Sequence, residues 1–178
     1  MALGACVGAV VLAGCSSGDG STPAAQKSTT RPPPSVATST STTFSPAQTA
    51  VIKAYTDFWK ALAPASHAKT AAEQLTLLTP VTTDPELSQL ISGIASERDK
   101  GRAFYGVDQP HVSKVAITGG HADLVDCQDS SSAGVESMKT GKKLTVGVAA
   151  HPVRTTLLKR DGSWKVSTVS YPPAGTQC

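Results

Sequence analysis

The sequence predicts an α+β domain in which helices come first and antiparallel strands follow, the helices packing on one face of the sheet. Three observations carry this prediction. Apolar residues recur at helical spacing from Val51 to Ile94, and beyond Gly101 the period changes to two. Two glycine-bearing turns, Gly119-Gly120 and Arg160-Asp161-Gly162-Ser163, interrupt the alternating runs where hairpins would place them. Residues 45–178 make up a stretch the size of one domain, long enough to bury about two thirds of its surface.

The first helix starts at Ser45-Pro46-Ala47-Gln48, which supplies a serine cap, a proline at the first helical position and a glutamine placed to complete a capping box. Val51, Ala54, Tyr55, Phe58 and Leu62 then fall on one face, with Trp59 beside them. A shorter second helix is expected over Lys69 to Leu78. A third begins at Asp84-Pro85-Glu86, presents Leu87, Leu90, Ile91 and Ile94, and stops at Gly101.

A two-residue turn at Gly119-Gly120 pairs Ile117 with Ala122 and Val115 with Leu124. The second hairpin pairs Leu157 with Val166 and Lys159 with Trp164. Between them, Leu144 to Ala150 alternate like a strand, yet Pro152 argues against one unbroken central strand running on into Val153 to Leu158, so strand and loop both stand for that segment.

The chain ahead of this domain divides in two. Residues 1–14 carry an apolar core of about ten residues, the length of a signal peptide and too short to span a bilayer. Leu12-Ala13-Gly14-Cys15 resembles a bacterial lipobox, in which the Cys15 thiol accepts a diacylglycerol before the leader is cut away. Residues Met1 to Cys6 hold no Lys or Arg, a departure from the basic start of an export signal that points to a start further upstream. Residues 15–44 are a lipidated cysteine followed by a Ser/Thr/Pro-rich tether with little to bury, including Pro32 to Pro34. The expected location is the outer face of the cytoplasmic membrane, with the lipid rather than a transmembrane helix as anchor. Cys6 leaves with the leader and the lipid consumes Cys15, so Cys127 and Cys178 remain as a disulfide pair in an oxidising compartment.

The segments "AVIKAYTDFWKAL", "VDCQD" at Val125 to Asp129 and "RDGSWKVSTVS" resemble the nuclear transport factor two-like fold, and more closely its lipid-anchored actinobacterial versions. The resemblance implies a curved sheet that forms a cone with the first helices. It also implies a candidate pocket containing Tyr55, Trp59 and Asp126, with Asp126 as general base and Tyr55 as a donor to a developing oxyanion. The plainer alternative makes Asp126 a strand-end residue bonded to a turn, Tyr55 a core aromatic with a wet hydroxyl, and Trp59, like Trp164, a core residue.

Composition narrows the function. Sixteen Lys and Arg against 13 Asp and Glu leave a net charge of +3. The basic residues are scattered apart from Lys142-Lys143, so nucleic acid is not an expected partner. His67, His111, His121 and His151 lack metal-ligand spacing, Gly134 to Lys142 lacks the spacing of a phosphate loop, and there is no GxSxG, so neither metal nor cofactor is expected. Two classes remain. One is a non-catalytic envelope lipoprotein that binds a small apolar ligand or an envelope protein. The other is an isomerase- or cyclase-like enzyme using Asp126.

Overall fold

The structure, a computed structural model, describes residues 43–173, 175, 176 and 178. The leader at 1–14, Cys15 and the tether up to residue 42 lie outside the described residues. Among the described residues no helix is long and apolar enough to cross a membrane.

Helix α1 (Pro46–His67) opens with the reciprocal bonds of a capping box. Gln48 N–H donates to Ser45 Oγ at 3.3 Å, and Ser45 N–H donates to Gln48 Oε1 at 2.9 Å. Helix α2 (Ala71–Leu78) starts two residues later than Lys69, because the Thr70 hydroxyl caps it and Glu73 closes its own capping box. Helix α3 (Glu86–Asp99) follows, and Gly101, at φ 69, lets the chain turn away.

Six strands come next: β1 (Arg102–Tyr105), β2 (Val112–Thr118), β3 (His121–Gln128), β4 (Gly134–Ser137), β5 (His151–Arg160) and β6 (Ser163–Ser170). Four form an antiparallel sheet in the order β2-β3-β5-β6. Ile117 pairs with Ala122, Val115 with Leu124, Leu157 with Val166 and Lys159 with Trp164, the expected registers. Register shifts at Val112/Lys114 and Thr156/Leu157 add local bends to the curved sheet. Its inner face packs Val115, Ala122, Leu124, Leu157 and Val166 against Val51, Tyr55, Phe58 and Trp59 of α1. A second cluster, Ala65, Leu78 and Ile94, joins the three helices, with Leu87, Leu90 and Ile91 packed on it. The fold is therefore α+β, with N-terminal helices on a curved antiparallel sheet.

The remaining strands, β1 and β4, pair into a separate two-stranded sheet that the sequence did not announce. Each has four residues, too few for alternation to register. Leu144 to Ala150 form no strand. The segment nonetheless runs beside β4: Leu144 N–H and Thr145 N–H donate to the Val135 carbonyl, and Gly147 N–H to that of Ala133. It leaves Leu144, Val146 and Val148 exposed. Pro152 is the second residue of β5 and pairs with Cys127. Cys127 N–H is spent on the His111 carbonyl, on the far side of β3. In an antiparallel ladder Pro152 nitrogen then faces the β6 side, where pairing begins only at Arg154, so no ladder bond is lost.

Cys127 and Cys178 are bridged with an S–S distance of 2.17 Å. Strand side chains alternate between faces, and along β3 it is Ala122, Leu124, Asp126 and Gln128 that are buried. The bridge thus leaves from the face opposite the Asp126 carboxylate, although the two residues are neighbours in sequence. Such a bridge fits a non-cytoplasmic setting.

Candidate functional site

The structure brings Tyr55 and Asp126 together. Tyr55 Oη donates to Asp126 Oδ2 at 3.0 Å, and the His111 backbone N–H donates to Oδ1 at 2.5 Å. One carboxylate therefore links α1, β3 and the segment leading into β2. Asp126 is 1% exposed and Tyr55 fully buried, so the expected wet hydroxyl is dry. Burial pushes the Asp126 carboxyl above its ordinary value, against the lowering effect of the bonds from Tyr55 and His111. Burial, and then the Asp126 charge, push the Tyr55 hydroxyl up in turn. Trp59 completes the cluster, its ring edge-on to Tyr55 at 5.8 Å and to Phe58 at 4.9 Å.

A general base must reach the proton it removes. Neither Asp126 nor Tyr55 lines the cleft between the helices and the small sheet, a space of about 400 Å³; of the three candidate pocket residues only Trp59 does. The cleft is assembled from Phe58, Trp59 and Leu62 of α1, Glu86 and Leu90 of α3, Phe104 of β1, Val135 of β4 and Val169 of β6. Gly147 is part of its wall, and the backbone there approaches Ser130 so closely that a Cβ would strike the Ser130 carbonyl. The outer face of the main sheet has a different character, carrying Lys114, Asp123, Arg154, Thr156 and Thr168.

Polar groups in the cleft are few. Glu86, at the start of α3, is 8% exposed and its Oε2 accepts the Val169 N–H at 2.9 Å. Burial raises its pKa, with the bond from Val169 opposing the shift. Asp108 accepts from the Ser130 hydroxyl. Tyr171, exposed as a whole residue, has its hydroxyl pushed up to about 12, first by desolvation and then by the charges of Asp108 and Glu86. Sequence reasoning passed over all three. Glu86 had one signal, the Asp84-Pro85-Glu86 helix start, which marks a helix end without saying what faces it.

No family model matches the chain, and neither does any curated protein. Among solved structures it is similar to the intermembrane space region of the chloroplast protein ARC6, at 14% identity and a TM-score of 0.53, covering 74% of this chain and 100% of that one. It is also similar to an NTF2-like protein of unknown function from Shewanella baltica, at 13% identity and a TM-score of 0.41, covering 75% and 100%. A de novo β-sheet design protein matches at 15% identity and a TM-score of 0.37, covering 74% and 95%. The likeness is one of fold.

Proposed function

We propose that the chain is an envelope lipoprotein, held on the outer face of the cytoplasmic membrane by a lipid on Cys15, whose nuclear transport factor two-like domain binds a small apolar ligand without transforming it. The observation that carries the binding role is the cleft beside Trp59. Its volume of about 400 Å³ falls within the range of ligand sites, and its walls are apolar with a few convergent polar groups, the usual make-up of such a site. The non-catalytic part follows from the separation of that cleft from Asp126: an isomerase or cyclase working through this carboxylate would need its substrate to reach a residue enclosed by Tyr55 and the His111 backbone. The tether at 15–44 would hold the domain clear of the bilayer, with the cleft free to exchange ligand.

Two measurements test these roles separately. The mature protein, purified from its own membrane and then denatured, should release an apolar small molecule seen by mass spectrometry, and a Leu62→Trp variant that fills the cleft should release far less. Equal release from both proteins would remove the binding role. For the anchor, a Cys15→Ala variant should leave the detergent phase for the aqueous one, and partition like wild type would defeat it.

A further inference from the structure

We infer that the cleft is built for a cationic ligand, an apolar amine whose ammonium meets the Glu86 carboxylate while its apolar body lies against Trp59, Phe104 and Leu90. This deepens the ligand-binding role proposed above and rests on it.

The charge lining the cleft is of one sign. Among the described residues Glu86 and Asp108 are its only carboxylates, and no Lys, Arg or His lines it. Neither acid takes part in an ion pair among the described residues. Basic groups near the cleft aromatics are engaged elsewhere than with its carboxylates: Lys143 Nζ sits 4.6 Å from the centroid of the Tyr105 ring, the His151 ring lies 5.8 Å from that of Tyr171, and His67 Nε2 is 3.1 Å from the Phe104 carbonyl.

Glu86 is the more informative of the two acids. It is nine-tenths buried, and Oε2 is held by the Val169 N–H, which fixes the carboxylate in place. Its other oxygen, Oε1, has no hydrogen-bond partner among the described residues, although the residue forms part of the cleft wall. A carboxylate taken this far out of water without a cation carries a desolvation penalty, which a partner of opposite charge would offset. The aromatic walls add to the preference, because an ammonium close to the face of Trp, Tyr or Phe is attracted by the ring quadrupole. A fatty acid or a phosphate would place like charge beside Glu86 and Asp108 with nothing to neutralise it.

The test titrates the mature chain at neutral pH and low salt with three probes of matched shape, 2-naphthylmethylamine, 2-naphthylmethanol and 2-naphthoate, following binding by calorimetry. The amine should bind at least tenfold more tightly than the alcohol, and the carboxylate more weakly than either. Glu86→Gln retains an acceptor for the Val169 N–H, so it should fold, and the ratio of amine to alcohol affinity measured in it should lose most of the tenfold preference. Asp108→Asn should reduce the preference by a smaller factor. An amine preference that is absent from wild type, or unchanged in Glu86→Gln, would overturn the cationic assignment while leaving the cleft a ligand site. Failure of all three probes to bind would overturn the ligand-binding role as well.

Discussion

Tyr55 and Asp126 show how a polar pair can be held inside an apolar core. Each would be expensive to bury alone, but the hydroxyl donates to the carboxylate and the carboxylate accepts a second bond from the His111 N–H. Removing the donor in Tyr55→Phe leaves Asp126 Oδ2 buried without that partner, and should lower unfolding stability by about 1–3 kcal/mol in urea titration. The same site gives a pH signature. Burial lifts the folded pKa of Asp126 above its ordinary 3.8, so the folded state takes up the proton more readily than the unfolded chain does. Its contribution is then most favourable at low pH and is lost as pH rises through the folded pKa. Glu97 and Asp129, whose pKa values are lowered by hydrogen bonds from Lys100 and from Ser131 respectively, act in the opposite direction, so the wild-type profile alone is a mixture. The difference between wild type and Asp126→Asn isolates the site. That difference should move in favour of wild type as pH falls from about 8 to about 4, and a pH-independent difference would contradict it.

At the level of elements, local chemistry and tertiary packing agree for the longest pieces. The capping box at Ser45 satisfies two orphan groups of α1, the helix that carries Tyr55, Phe58 and Trp59 into the core. Ser45→Ala should therefore cost about 1 kcal/mol, within a usual range of about 0.5–2, and calorimetry should record it as a lowered Tm. The hairpin turns are equally local. Asp161 and Gly162 both hold positive φ, at 51 and 81, the geometry of a two-residue turn whose twist matches its strands. The short β1 and β4 strands behave differently, because their pairing depends on α1 and α3 holding β1 in place and on the loop from Lys143 running beside β4.

For the molecule as a whole, the Cys127–Cys178 bridge closes a loop with a sequence separation of 51 and ties the C-terminal segment to β3. In the chain-entropy account a loop of that length stabilises the fold by about 4 kcal/mol, and measured bridges span roughly 0–5. A Cys127→Ser, Cys178→Ser double variant should lose stability of that order in denaturant titration while keeping its probe affinity, since the bridge lies on the face of β3 away from Asp126 and neither cysteine lines the cleft. Loss of binding at full folding would instead make the bridge a determinant of the cleft. The cleft is also a property of the whole molecule, drawing side chains from α1, α3, β1, β4 and β6.

What the sequence determined by itself was whatever depends on spacing along the chain: α1 with its cap, the start of α3, both hairpin registers and the sheet face bearing Leu124 and Asp126. Period, capping and turn chemistry act between residues a few positions apart, so they can be read without knowing the fold. Tertiary structure alone decided whether the Asp126 carboxylate lies open to the cleft. Its approach to Tyr55, 71 positions away in sequence, encloses it, while Glu86, which reads as an ordinary first-turn acid, lines the cleft and bonds to Val169, 83 positions away. Burial and partnership of a carboxylate are set by which distant elements converge on it, and no local pattern in the chain encodes that convergence.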